Sequence, residues 1–340
     1  MGKKNFCAVI PAFNEEKVIT ASLRSLKKVF KKEDIYVVSD GSTDKTVELA
    51  LTENVIVLEL PKNVGKAMAQ EKLIRYFKLT QRYNYILFSD ADSQIDKSFL
   101  SQASKYLAQK PALIVGTVKS QRRGLVSAFR TYEYGLSHRV YKTAQNFVQA
   151  ITVAPGCASL YRSDVLEQLN LKQGTLTEDF DLTIQIHKKK LGKVVYAKNA
   201  IVATQDPKTI RDYWRQVLRW NTGTWQNYFL HQLYKLNTKF NIELNFLFFD
   251  NFLWVATLVM LILYANIVIN LLFGLFITIY LCALVVALIE KKYWIIPYIP
   301  FFPIFYVVNI TSYFYALIKV VFAHSRPSWN KVDRYQVRAG

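Results

Sequence analysis

Five short stretches of this chain carry the residue types that do chemistry. In FSDADSQ, Asp90 and Asp92 are separated by one residue. That spacing lets two carboxylates hold a hard divalent ion together with the oxygens of a diphosphate, although an acidic turn has the same composition. In TLTEDFDL, Glu178, Asp179 and Asp181 open a run of helical composition. Acids there are favoured by the helix dipole, and a carboxylate beside a metal-bound substrate can equally take the proton from an attacking hydroxyl; the residues alone do not rank the two. In QVLRW, Gln216, Arg219 and Trp220 share one helical face at i, i+3 and i+4. That face suits lipid headgroups or a more specific ligand, with Arg offering forked donors and the indole a flat apolar surface. In SDGSTD, Asp40 follows an apolar run and Gly41 permits a tight turn; the carboxylate can accept from a ribose or base, and the same residues also start helices. NVGKAMA places Gly65 and Lys66 where a helix begins, a position suited to anion contact. It lacks the GxxxxGK[ST] pattern, which excludes a P-loop.

The surrounding pattern positions these stretches. FCAVIPA, IYVVSD, NVIVLEL, YILFSD and ALIVGTV read as strands, and EEKVITASLRSLKKVF and TDKTVELALTE as helices. This alternation predicts an α/β domain with a Rossmann-like, mostly parallel sheet covered by helices over residues 1–205. Ligands of such sheets gather beyond the carboxyl ends of strands, where Asn14, Glu15, Asp40, Asp90 and Asp92 fall. Residues 206–241 are rich in Trp, Tyr, Arg and Lys and read as membrane-interface helices. Asn251 to Ile289 is 39 residues without Asp, Glu, Lys or Arg, and Tyr293 to Ile318 another 26. A single helix over the first run would be ~58 Å long, nearly twice the ~30 Å hydrocarbon core, so it divides into two spans, with the turn expected between Ala265 and Asn270. In the second run Pro297, Pro300 and Pro303 leave one clean span, Ile304 to Phe322, after a broken or re-entrant start. Residues 242–323 are thus a transmembrane region of about three apolar segments, and 324–340 a basic tail. Three crossings would set that tail on the far side, against the positive-inside tendency, which favours an even number. The net charge of +19 is scattered and concentrated beside apolar segments; it fits a cytoplasmic, membrane-facing surface and not a nucleic-acid binder. Cys7, Cys157 and Cys282 form no disulfide or metal pattern. No signal peptide is expected in MGKKNFCAVIPAFNEE.

In order and spacing, PAFNE, SDGSTD, NVGKA, DAD, TED and QxxRW resemble the membrane-bound family 2 glycosyltransferases of the processive type, the cellulose, chitin, hyaluronan and poly-N-acetylglucosamine synthases. The resemblance runs from about Phe6 to Gln226 and implies a GT-A fold, a UDP-sugar donor with UDP-GlcNAc or UDP-Glc foremost, Mg²⁺ or Mn²⁺, and inversion at the anomeric carbon. Matched by position, Ala12 to Glu15 and Asp40 would contact the nucleoside with Lys66 nearby, Asp92 assisted by Asp90 would hold the metal, and Asp179, beside Glu178, would be the base. Arg219 would face the diphosphate, Trp220 would stack near the acceptor sugar, and Gln216 would border the site. Gly156 and Cys157 in PGCASLYRSDVL would lie beside the acceptor. Trp329, Lys331 and Arg334 loosely match a cytoplasmic terminal motif of the same enzymes. The chain departs from the pattern with Ser39 in place of an Asp, no spans ahead of the catalytic domain and about three behind. Either further copies or a partner subunit complete a channel, or the product is not a long polymer. The implied location is the inner or plasma membrane, with glycan or lipid-linked acceptors. Transfer of one sugar to a polyprenyl phosphate, and a non-catalytic nucleotide-binding scaffold, are the alternative readings.

Overall fold

A computed structural model describes residues 2–171, 174–322 and 334–336. Eight strands form one sheet: β1 (Lys4–Ala12), β2 (Ile35–Asp40), β3 (Ile56–Leu60), β4 (Tyr83–Phe88), β5 (Gln94–Ile95), β6 (Leu113–Ser120), β7 (Ser159–Arg162) and β8 (Val194–Thr204), in the order β3-β2-β1-β4-β7-β6-β8-β5. The first four in that order are parallel, β7 runs antiparallel between β4 and β6, and β6 pairs parallel with β8. The expected α/β architecture is therefore present. Both faces of the central strands are covered, as parallel sheets require. Along β1 and β2, Cys7, Val9, Tyr36 and Val38 enter one core, while Ala8, Ile10, Ile35 and Val37 enter the other. This is the period-two alternation of a strand.

Strand register aligns the ends that matter. Ala12 sits opposite Ser39, so β1 and β2 finish together, and β4 finishes beside β1 with Val9 opposite Phe88. The loops leaving these ends carry Glu15, Gly41, Asp90 and Asp92 to one edge of the sheet.

After β8, a 21-residue helix spans Ile210–Leu230, followed by helices Lys239–Leu263 and Ala265–Ile289. The break between the last two falls at Tyr264 (φ −139°, ψ 58°) and not within Ala265 to Asn270, through which the backbone is helical. Polarity in the sequence had suggested a turn there, but an α-helix bonds its own backbone whatever the polarity of its side chains. The Pro-rich stretch Tyr293–Phe301 is a 3₁₀ helix that holds Pro297 and Pro300 and leads directly into the helix Phe302–Phe322. Pro303 falls in the first turn of that helix, where a missing N–H costs nothing. Among the described residues two stretches, Leu272–Ile289 and Tyr293–Phe322, are long and apolar enough to cross a membrane, and Phe273, Leu281, Leu288, Val307 and Ile318 on them are exposed.

Both ends of the Lys239–Ile289 pair are tied to the sheet domain. Phe240 stacks on His187 with ring centroids 4.4 Å apart. At the other end Glu290 pairs with Lys119 (3.0 Å) and Arg139 (2.5 Å). The Phe302–Phe322 helix packs along Ile210–Leu230, joined by Asn221 Nδ2 to Ser312 Oγ (2.7 Å) and Tyr213 to Asn309 (2.8 Å). Of the tail, Trp329 and Lys331 lie outside the described residues, while Arg334 to Gln336 are placed.

Candidate active site

The site grows from the turns at the strand ends. Both oxygens of Asp40 accept backbone N–H groups, from Val64 (2.7 Å) and Gly65 (2.9 Å). The carboxylate therefore shapes the NVGK turn, in which Gly65 takes φ 90°, a conformation that suits glycine. That turn delivers Lys66, the first residue of the helix Lys66–Tyr76, to a point between the two acidic clusters. Its Nζ lies 2.8 Å from Asp90 Oδ1 and 2.6 Å from Glu178 Oε1. Burial works to raise the Asp90 carboxyl, but the Lys66 charge outweighs it and holds that group below its ordinary range. Asp92, 7% exposed, goes the other way: burial pushes it up, Arg334 opposes and Asp90 reinforces. Its Oδ2 pairs with Arg334 Nη1, and Arg334 Nε also reaches Glu15 Oε2 at 3.2 Å. Tyr335 fixes this segment: Gln205 donates to its carbonyl (2.8 Å) and its ring lies beneath Arg122 (4.7 Å) and Lys208 (5.2 Å).

Glu178 opens the helix Glu178–Lys188. Asp179 Oδ2 accepts the Gly156 N–H at 3.0 Å and Oδ1 that of Phe180 at 2.8 Å. Burial first, and the neighbouring Glu178 second, raise the Asp179 carboxyl to about 6 against the pull of Lys66. A Cβ on Gly156 would lie 3.0 Å from Lys66 Nζ and 3.5 Å from Asp179 Oδ2, so this glycine keeps the space between cation and acid open. Burial also pushes the Cys157 thiol up, leaving it protonated and a poor nucleophile. Asp181, the third acid of the run, turns away and pairs with His231 Nε2 at 2.5 Å, tying this helix to the end of Ile210–Leu230.

Gln216, Arg219 and Trp220 face the same cavity, of about 670 Å³, as Lys66, Asp90, Asp92, Gly156, Cys157, Glu178 and Asp179. Ala12, Glu15 and Asp40 are outside its lining. Tyr132, Tyr134, Tyr141 and Tyr306 also line this cavity, the last from the Phe302–Phe322 helix. Sequence reasoning missed Arg130 and Lys142 here. Arg130, from the helix Leu125–Leu136, is 4% exposed, pairs with Glu133 (2.8 Å) and donates to Gln216 Oε1 (3.4 Å). Its guanidinium lies 4.5 Å from the Trp220 ring and 4.7 Å from that of Tyr134. A basic residue set among aromatics in LVSAFRTYEYGL was the available signal. Lys142, 6% exposed, donates to the Val153 carbonyl (2.5 Å); burial lowers its ammonium to about 8, opposed by Asp179.

A second missed set seats the QxxRW helix on the TED turn. Asn227 Nδ2 donates to Thr177 Oγ1 (3.1 Å) and Thr175 Oγ1 (3.2 Å), and Gln226 Oε1 accepts the Leu176 N–H (3.0 Å). The contact is close because residue 223 is glycine: a Cβ there would be 2.5 Å from Thr177 Oγ1 and 2.8 Å from its backbone N. Gly223→Ala is expected to cost about 1–3 kcal/mol, the usual cost of overpacking, read as a lower Tm in detergent. An unchanged Tm would mean that the helix is not seated on Thr177.

Residues 7–169 match the family model described as glycosyl transferase family 2. Over 224 residues the chain is 24% identical to a poly-beta-1,6-N-acetyl-D-glucosamine synthase of Staphylococcus aureus (strain COL), covering 63% of this chain and 53% of that protein. It is 28% identical over 243 residues to an N-acetylglucosaminyltransferase of Rhizobium meliloti (strain 1021), covering 65% and 56%. The chain thus spans about half the length of the relatives it matches. Among solved structures it is similar to the mannosyltransferase PcManGT from Pyrobaculum calidifontis in complex with GDP-Man and Mn²⁺, with a TM-score of 0.65 at 17% identity over 96% of this chain and 89% of the other. Residues 7–169 are thus similar to the family 2 glycosyltransferases, and the chain has a GT-A fold.

Proposed function

We propose that the protein transfers a sugar from a UDP-sugar, with UDP-GlcNAc or UDP-Glc as donor, to a hydroxyl of a growing β-linked polysaccharide at the membrane, inverting the anomeric centre. The observation that carries this reading is Asp179: a carboxylate raised to about 6, oriented by the Gly156 N–H, in one cavity with Asp90, Asp92 and Arg219. A base that is ionised at neutral pH yet basic enough to accept a proton is what attack by a sugar hydroxyl requires. Arg219 supplies a permanent charge for the leaving diphosphate, and Trp220, already flattened against Arg130, offers its other face to a sugar ring. Ala12, Glu15 and Asp40 contribute to nucleoside binding in this reading, Asp40 through the turn it holds.

A divalent ion, Mg²⁺ or Mn²⁺, fits Asp92 with help from Asp90. Each carboxylate already carries a cationic partner, Arg334 on Asp92 and Lys66 on Asp90, so both are built to neutralise positive charge. Among the described residues no group of three or more His, Cys, Asp or Glu converges; the protein then gives one or two oxygens and the diphosphate gives others, as is usual for metals on nucleotides. When bound, the ion would relieve the charge on the departing diphosphate.

The exposed apolar sides of the C-terminal helices support a multi-pass protein of the inner or plasma membrane with the catalytic domain in the cytoplasm. Transfer of a single sugar to a polyprenyl phosphate is the second reading. The buried cation Lys142, which lines the same cavity as Asp179, favours it, because an anionic acceptor needs such a partner. A non-catalytic scaffold is disfavoured by the retained acids.

Purified protein in nanodiscs with Mn²⁺ and a panel of UDP-sugars is expected to release UDP from at least one donor. No release from any donor overturns the proposal. A ladder of products supports polymer extension, and one added sugar on a lipid supports the second reading.

A further inference from the structure

A separate cavity of about 210 Å³ lies between the sheet domain and the turn that follows Ile289. Lys119, Arg122 and Arg123 line it from the end of β6 and the loop beyond, and Lys291, Lys292 and Trp294 from the turn. Five cations thus face one carboxylate, Glu290, whose charge is already shared between Lys119 and Arg139. His138 completes the wall. It is 4% exposed, and its Nε2 accepts the Val118 N–H at 3.1 Å. The proton of the neutral ring therefore sits on Nδ1, which is shut off from solvent and has no hydrogen-bond partner among the described residues. Burial first, then Lys142 and Lys119, keep the ring neutral. An excess of positive charge in a concave site is complementary to an anion with oxygen acceptors.

Its place in the molecule narrows the anion. The apolar stretch Leu272–Ile289, long enough to cross a membrane, ends next to Glu290 of this cavity, and Leu288, Ile289 and Tyr293, which flank its lining residues in the chain, are exposed. Trp294 lines the cavity at the start of the second such stretch, Tyr293–Phe322, and indoles are common where membrane helices meet headgroups. We propose that this cavity binds the phosphate of an anionic phospholipid headgroup, with Arg123, Lys291 and Lys292 countering its charge and the acyl chains lying along Leu288 and Ile289. A soluble phosphate would satisfy the cations equally but would leave that apolar rim uncovered.

The test uses the full chain in nanodiscs of equal parts phosphatidylcholine and phosphatidylglycerol, released for native mass spectrometry. The wild type is expected to retain one phosphatidylglycerol at least about tenfold over phosphatidylcholine. Arg123→Gln/Lys292→Gln should lose that preference, while Lys31→Gln/Lys32→Gln, which removes the same charge from the exposed turn before β2, should keep it. In detergent, added phosphatidylglycerol should raise the Tm of the wild type and not of the first variant. Equal loss in both variants, or no enrichment on the wild type, overturns the proposal. So does displacement of the lipid by millimolar inorganic phosphate, which would identify a soluble phosphate as the ligand.

Discussion

Asp179→Asn lowers kcat about 10³-fold and leaves donor binding intact. The amide keeps the shape and, with its one oxygen on the Gly156 N–H, gives up only the Phe180 N–H that Asp179 also held, so most of the loss reports the missing proton acceptor, for which general-base catalysis typically contributes 10²–10⁴-fold. Asp179 also sets the pH profile. Its carboxyl is raised to about 6 by burial and by Glu178, and only the ionised form accepts a proton. Activity therefore falls tenfold per unit as pH drops below about 6 and is level above it. The limb belongs to kcat/KM, which reports the free enzyme, and is absent from the residual rate of Asp179→Asn. An unchanged limb in that variant would assign the titration to another group.

Asp92→Ala has an effect of similar size by a different route, a loss of about 10³-fold in kcat/KM that excess Mn²⁺ does not restore. Asp92 is nearly buried and its charge is matched by Arg334, which retains Glu15 when Asp92 is gone. The fold should then survive and the cost fall on metal and diphosphate, where the ion is worth several kcal/mol. Titration calorimetry of Mn²⁺ with UDP separates the cases: weakened metal binding supports the assignment, and normal binding with lost activity moves the metal elsewhere. In the companion variant Arg334→Ala, removal of the resident cation should tighten Mn²⁺ binding in the absence of nucleotide.

Much of this site was legible in the sequence because its acids sit at places that local rules identify. Asp40, Asp90 and Asp92 follow buried strands, and Glu178 and Asp179 open a helix. Lys66 was placed near the nucleoside, whereas the structure bridges it between Asp90 and Glu178, since the distance across the sheet between NVGK and TED is not encoded in either stretch. Asp181 looked like one of three equivalent acids; only its pairing with His231, fifty residues on, separates it. Gly223 and Asn227 gave no signal, because their importance lies in how closely one helix approaches a turn that the sequence does not locate. The break between the two apolar helices lies at Tyr264 and not in Ala265 to Asn270, because polarity marks solvent preference, not backbone breaks. Arg334 had been noticed only as part of a tail motif, and its partners Glu15 and Asp92 are more than two hundred residues away along the chain.

The ion pairs of Glu290 bear on what this chain can do by itself. They fasten the end of the second apolar helix to the domain from which the first one leaves, so the pair goes out and comes back. Each helix has 25 residues, ~37 Å at 1.5 Å per residue, enough for the ~30 Å core. If these helices cross the bilayer as proposed, the two attachments hold the sheet domain at a fixed height over it, so the Asp179 site cannot swing away from the membrane surface.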